Sequence, residues 1–264
     1  MPAILWLSDL HLDANQQVLG CDPIAACTRA VDHLAEHYAD ARCCVVSGDI
    51  ANTGAEADYR EAKAILDRLP MPWYPLVGNH DAREPLRKLV ELPDTCMPDF
   101  VQYTVDIDAG TSGGAVRLVC LDTLIPGQDG GELCEARLAW LAQTLEQSGD
   151  KSVVVFLHHP PVTLGIQAFD DIGLRNADAV MQHLARHPCV QYVCAGHVHR
   201  AYTGVCQGIA FATQRSVLFQ APPARPPWDF SCFEIADEPA GFGVVHVDQQ
   251  GVRIDFNQLG SALR

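Results

Sequence analysis

Basic residues are scarce in this sequence: 18 lysines and arginines stand against 33 aspartates and glutamates, a formal net charge of -15. Nucleic-acid backbones and anionic membranes both demand basic surface, so neither is the expected partner. CxxC spacing is also missing. The 11 cysteines are an odd number, and Cys43, Cys44, Cys120 and Cys194 lie in apolar runs where cysteine behaves as a small buried hydrophobe. A disulfide framework or a cysteine metal site is therefore not expected. No apolar stretch approaches the roughly 20 residues of a membrane span. A signal-peptide pattern is lacking too, since Met1-Pro2 leads at once into Ala3-Ile4-Leu5-Trp6-Leu7, and a cytoplasmic protein is the expectation. There is no internal repeat and no low-complexity linker.

What is present is a chain of 264 residues, 48% hydrophobic, enough for one large packed domain with or without an appendage. Apolar runs at 3–8, 43–47, 73–77, 153–157 and 190–195 read as strands, and 101–107 with 116–121 as two more around a Gly/Ser turn at 110–114. Ile24, Cys27, Val31, Leu34 and Tyr38 have helical spacing. Thr53-Gly54-Ala55-Glu56 has the form of a capping box opening a helix that Pro70 closes. Further helices are expected over 83–91, over 135–147 and around Leu174, Ala177, Met181 and Leu184. The alternation βαβαβ in the first third indicates an α/β domain. From Tyr202 onward the pattern alternates like antiparallel strands, interrupted by Pro222-Pro223 and Pro226-Pro227. The glycine-rich segment after Asp122-Thr123 reads as surface loop. Residues 161–176 and 214–240 are long irregular stretches, of the kind that carry substrate contacts or an interface.

Five of the apolar runs end in the same chemistry: Ser8-Asp9-Leu10-His11, Gly48-Asp49, Gly78-Asn79-His80-Asp81, His158-His159-Pro160 and Gly196-His197-Val198-His199. Six of the 11 histidines fall in these short stretches, which favours a site over scattered surface residues. In α/β sheets the C-terminal strand ends are where loops converge on a ligand. Asp, His and Asn form a nitrogen and oxygen donor set suited to Zn, Mn, Fe or Co. One carboxylate can bridge two cations, and two cations roughly 3.5–4 Å apart can clamp a phosphoryl group. Bound cations also let an acidic protein act on a phosphate.

The ordered set Asp-x-His, Gly-Asp, Gly-Asn-His-Asp, His, Gly-His-x-His resembles the calcineurin-like metallophosphoesterases, and it spans Asp9 to His199, about three quarters of the chain. The resemblance implies two packed mixed β-sheets flanked by helices, with core motifs in 1–200 and a β-rich segment 201–264 that caps the site or forms an interface. It also implies two divalent ions. Asp9, His11 and His199 would hold the first, and Asn79, His158 and His197 the second. Asp49 would bridge them. His158, not His159, is the implied ligand of that pair. His80 matches the catalytic histidine, contacting substrate together with Asn79. Asp81 either orients His80 or caps the next helix, and Asp13 either supports the site or is a solvated loop carboxylate.

One departure narrows the activity. Protein Ser/Thr phosphatases of the family carry Gly-Asp-x-x-Asp-Arg-Gly, where this chain has Gly48-Asp49-Ile50-Ala51-Asn52-Thr53-Gly54. The segments from Asp122 to Gly131 and His158-His159-Pro160-Pro161 resemble instead the bacterial cyclic-nucleotide phosphodiesterases and their glycerophosphodiesterase relatives. The expected activity is hydrolysis of a small phosphodiester by metal-activated hydroxide. The alternatives are a phosphomonoesterase or nucleotide-lipid pyrophosphatase of the same family, and a metal-binding scaffold without catalysis. Diesters are expected to be better substrates than monoesters, because Arg83 and Arg200 are the few cations beside the motifs and neither takes the phosphatase arginine's place. A homo-oligomer, dimer or higher, is expected through the aromatic stretch containing Phe219, Trp228, Phe230 and Phe233.

Overall fold

The computed structural model describes residues 3–108 and 114–260. The Gly/Ser turn expected between residues 110 and 114 lies almost entirely outside them. The first third builds β1 (Ala3–Leu7), α1 (Pro23–His37), β2 (Cys43–Val46), α2 (Glu56–Leu66), β3 (Trp73–Pro75) and α3 (Arg83–Leu89). The middle adds β4 (Tyr103–Asp108), β5 (Ala115–Cys120), α4 (Glu135–Glu146), β6 (Ser152–Leu157), a short α5 (Gln167–Asp170), α6 (Ala177–Ala185) and β7 (Val190–Ala195). The last part holds β8 (Thr203–Cys206), β9 (Ile209–Thr213), a 3-10 turn at Phe230–Cys232, β10 (Gly241–Asp248) and β11 (Gly251–Gln258).

The strands form two mixed sheets, ordered β11-β10-β1-β2-β3 and β4-β5-β6-β7-β9-β8. β1, β2 and β3 run parallel, with β10 antiparallel against β1. In the second sheet β5, β6, β7 and β9 run parallel, and β4 and β8 are antiparallel edges. The pairing of β9 with β7 departs from the antiparallel reading of the C-terminal part. β8 is the first arm of a hairpin and takes the edge, which leaves the returning arm β9 beside β7 in parallel sense.

Alternation along the strands explains the layering. In β6, Val154 and Phe156 join the core between the sheets, while Val153, Val155 and Leu157 join a second core under α4 and α6. Trp6 from β1 meets Phe156 edge-on with ring centroids 5.9 Å apart, pinning one sheet to the other. On the far side of the first sheet α1 contributes Cys27, Val31 and Leu34, and α2 contributes Tyr59, Ala62 and Leu66. Both faces of each sheet's centre are thus buried, which accounts for strands that read as continuous apolar runs.

Helix starts differ in their devices. α1 begins at Asp22, whose carboxylate accepts from the Ala25 amide at 3.0 Å, with proline just inside the helix. The capping box expected at Thr53 does not form. The cap is Ala55, with no side-chain bond, and the Thr53 hydroxyl instead donates to Asp58 at 2.6 Å. Asp58 is buried and also accepts from the Ala14 amide at 3.1 Å, so it ties the loop after β1 to the start of α2. The longer-range tie satisfies two loops at once and takes Thr53 away from the local motif.

Candidate metal centre and its cavity

The five motifs lie just beyond β1, β2, β3, β6 and β7, where the C-terminal edges of the two sheets meet. The ligand atoms converge in two groups. His11 Nε2 is 3.1 Å from His199 Nε2, and His199 Nε2 is 3.4 Å from an Asp9 oxygen. In the other group, Asn79 Oδ1 is 3.1 Å from both His158 Nε2 and His197 Nδ1. One oxygen of Asp49 lies between them, 3.3 Å from His158 Nε2 and 3.7 Å from His11 Nε2. All seven residues that the sequence singled out as ligands are therefore brought together.

Backbone fixes these side chains. Asp9, His11, Asp49, His197 and His199 all have positive φ, between 46° and 72°, and only Leu19 and Gln207 share that conformation among the other described non-glycine residues. Such backbone costs about 1–3 kcal/mol per residue and persists where the surroundings over-determine it. Here they do. Asp9 and His11 donate backbone N–H bonds to the carbonyls of Gly48 and Asp49, and the His197 amide donates to the Asp9 carboxylate at 3.1 Å. The other Asp49 oxygen accepts from the His80 amide at 2.9 Å. Two motif glycines are required by close approach. A Cβ at Gly78 would lie 2.2 Å from Asp49 Oδ1, and one at Gly196 2.2 Å from the Ser8 hydroxyl.

Carbonyl partners set the histidine tautomers. His158 Nδ1 donates to the Ser47 carbonyl at 2.9 Å and His199 Nδ1 to the Phe219 carbonyl at 3.0 Å, so each presents Nε2 to the centre. His159 is different. Its Nδ1 bonds the Thr123 hydroxyl at 2.8 Å and its Nε2 donates to the Asp129 carbonyl at 3.0 Å, which leaves no nitrogen for a metal. Burial, then the charge of His158, pushes His159 down to about 3. The segment from Asp122 to Leu124 that His159 helps hold is buried, because Asp122 is gripped by Arg83 and Arg137, while Pro126 to Asp129 of the glycine-rich loop beyond it are exposed.

Asp81 makes four contacts, accepting from the amides of Ile50, Ala51 and Gly78 and from the Tyr59 hydroxyl. The helix cap after it is Ala82. Burial, then the neighbouring Asp49 charge, pushes Asp81 up to about 6. His80 is exposed, and its Nδ1 donates to the Asn52 carbonyl at 2.8 Å, leaving Nε2 toward the cavity. Asp13 is buried and accepts from the Asn15 and Gln16 amides and from Asn52, so it holds the first motif loop.

The donor set fits cations. Four imidazole nitrogens, carboxylate oxygens of Asp9 and Asp49 and the Asn79 amide oxygen converge there, and Asn79 Oδ1 lies 3.1 Å from two of the nitrogens. Burial opposes ionisation of both Asp49 and His158. Their mutual attraction wins, holding Asp49 well below the carboxylate range and His158 up at about 9. A cation and that proton compete for the same point, so metal binding releases protons there.

These residues floor a cavity of about 480 Å³. Among the described residues its lining contains Asp129 but no lysine or arginine. Arg83 is held bidentate by Asp122, at 2.6 and 2.7 Å. Arg200 and Arg215 both pair with Glu238, at 2.9 and 3.0 Å. Apolar walls come from the two long irregular stretches, Phe169 and Ile172 from one and Phe219, Phe230 and Phe233 from the other. The two stretches pack on each other over Val198. Ser47, Asn52 and Phe219 act through their carbonyls, which no side-chain pattern announces.

A sequence model of the calcineurin-like phosphoesterases matches residues 2–201. The chain is 35% identical to a probable cyclic nucleotide phosphodiesterase of Rhodopseudomonas palustris, over 81% of this chain and 77% of that one. It is 27% identical to the 3',5'-cyclic adenosine monophosphate phosphodiesterase of Pseudomonas aeruginosa, over 97% and 94%. It is 32% identical to a glycerophosphodiester phosphodiesterase of Enterobacter lignolyticus, over 71% and 68%. A dimetal phosphatase from Danio rerio has the same fold, with a TM-score of 0.70 at 17% identity over 98% of this chain and 96% of that one. The chain belongs to the calcineurin-like phosphoesterases. Within that two-metal family it falls in the group of bacterial cyclic-nucleotide and glycerophosphodiester phosphodiesterases, and it is a metal-dependent phosphodiester hydrolase. No helix among the described residues is long and apolar enough to cross a membrane.

Proposed function

We propose that the chain hydrolyses small phosphodiesters of the 3',5'-cyclic nucleotide or glycerophosphodiester type. The observation that carries this reading is the cavity lining, in which five of the seven converging donors, His11, Asp49, Asn79, His197 and His199, face the substrate and, among the described residues, no lysine or arginine does. A monoester brings nearly two negative charges and sites for it add fixed cations, whereas a diester brings one. Asp9, His11 and His199 hold one ion, Asn79, His158 and His197 the other, and Asp49 both, with Mn, Fe, Zn or Co as candidates. Two such ions supply Lewis acidity at the phosphoryl group and make a water acidic enough to attack.

The chain's own residues do the rest. Asn79 and His80 face the substrate, and the Asn52 carbonyl fixes the His80 ring through Nδ1–H, so that the imidazolium form can give its Nε2 proton to the departing alkoxide and become neutral. Asp81 fastens the loops after β2 and β3 to each other, which keeps Asp49 and His80 in register. We place the protein in the cytoplasm, consistent with 11 cysteines that form no disulfide among the described residues. A homo-oligomer is part of the proposal, and a monomer in light scattering at micromolar concentration would overturn it. The enzymatic test compares kcat/KM for bis(p-nitrophenyl) phosphate and p-nitrophenyl phosphate with the same metal and pH. The diester is expected to win clearly, and a clear win for the monoester would replace this reading with the phosphomonoesterase one. Rates on cyclic AMP against glycerophosphoesters then separate the two diester types.

A further inference from the structure

Resting on the phosphodiesterase reading, we propose that Leu19 and Phe230 form an apolar clamp for the organic group carried beside the phosphoryl centre, and that this group is a flat, uncharged ring, which a cyclic nucleotide supplies in its base and a glycerol arm does not. Three large hydrophobic side chains are exposed among the described residues: Leu19 at 58%, Val205 at 72% and Phe230 at 50%. Two of these three, Leu19 and Phe230, line the one cavity that holds the ligand cluster. Exposed apolar surface costs solvation unless something covers it, and its concentration beside a reaction centre marks a binding surface.

The backbone at Leu19 strengthens the case. Val18 and Cys21 exchange both amide bonds, at 3.0 and 2.9 Å, around a two-residue turn of Leu19 and Gly20. Both turn residues have positive φ, 50° and 80°. Asn-Gly is the usual choice for that turn, and a leucine with no β-sheet or core to fill is strained there. Holding it at the tip of a tight turn presents the side chain to the cavity at a fixed height. Phe230 stands on the 3-10 turn, braced edge-on by Phe169 and Trp228 with ring centroids 5.5 and 5.9 Å away. Aromatic faces and a branched aliphatic favour a planar ring over a hydroxylated chain. Asp129 on the same lining, exposed and acidic, disfavours an arm that carries a second negative charge.

The test uses two diesters with a common leaving group, p-nitrophenyl phenyl phosphate and p-nitrophenyl methyl phosphate. They differ only in the retained arm. The wild-type metal-loaded enzyme is expected to show a KM roughly 10-fold lower for the phenyl ester with similar kcat, the signature of uniform apolar binding. Phe230→Ala and Leu19→Asn should each shrink that ratio about threefold, and the double variant should bring it near 1; asparagine keeps the left-handed turn while removing the apolar group. Metal content, measured on each variant, is expected to stay at the wild-type value. Turnover of both esters with equal KM in the wild type, or an unchanged ratio in the double variant, would overturn the clamp and leave the phosphodiesterase reading standing. Turnover of neither ester by the wild type would overturn that reading and the clamp with it.

Discussion

The loops that carry the ligands and the loops that wall the cavity are built on opposite principles. After β1, β2 and β7 the chain is forced into left-handed backbone at five ligand positions, and amides or carbonyls pin the carboxylates of Asp9 and Asp49 and the rings of His158 and His199. The stretches 161–176 and 214–240 are joined instead by ring contacts and a small apolar cluster around Phe169 and Val198. Hydrogen bonds specify a geometry to fractions of an ångström, whereas apolar contacts specify only that surfaces stay covered. The division suits an enzyme that must place phosphorus rigidly yet fit a varied organic arm.

The largest break in that contrast comes from the shared carboxylate. Asp49→Ala should lose both ions, and turnover should fall by roughly 10⁴-fold or more, the scale of removing a concerted unit. Elemental analysis finding two ions per chain in the variant would contradict the bridging role. His80→Ala tests the boundary between the two regions, because its side chain faces the cavity while its amide serves Asp49. Metal content should hold and the rate should drop by about 10²–10⁴-fold; loss of metal would move His80 into the ligand set.

A wall variant should behave in the opposite way to Asp49→Ala. Phe233→Ala is expected to keep both ions and raise KM for an aryl diester only a few-fold, with kcat little changed. Steady-state kinetics paired with metal analysis decides it, and a collapse of metal content would mean that the wall also holds the ligands in place. The smallest effect concerns the join between the regions. His159, pushed down from 6.5 to about 3 by burial and then by the charge of His158, stays neutral in the fold. Below pH 6.5 the unfolded chain takes up a proton there that the native state refuses, so stability falls as pH drops from 6.5 toward 3 and rises in the other direction. His159→Gln should remove that share of the slope, seen as a gap in melting temperature from the wild type that changes across this window. Parallel curves for the two proteins would show that His159 contributes nothing to it.

The ligand half was legible in the sequence because its chemistry needs particular residue types at particular strand ends. Asp9, His11, Asn79 and His199 could be read without knowing where any side chain points. The sheets were legible for a related reason, since β6 and β7 are apolar on both faces. Illegible were the partners supplied by the main chain, such as the Phe219 carbonyl that orients His199. Local motifs misled where a group outside the motif competed for the same atom, as Asp58, five residues on, does for the Thr53 hydroxyl. The walls were hardest, because Phe219, Phe230 and Phe233 follow no period, and nothing in their spacing says that they line a cavity also lined by Leu19, some 200 residues earlier.

The position of β10 has a consequence in time. β1 is flanked by β2 on one side and by β10 on the other, with Trp6 set opposite Gly243. The Ser216 hydroxyl and the Val217 amide also hold the carbonyls of Asp9 and Ser8, at 2.8 and 3.1 Å. β1 therefore leaves the ribosome more than 200 positions ahead of the residues that brace its ligand loop. Until those emerge Asp9 and His11 belong to a half-finished sheet with an open edge, at which a second nascent chain is the nearest competitor for pairing.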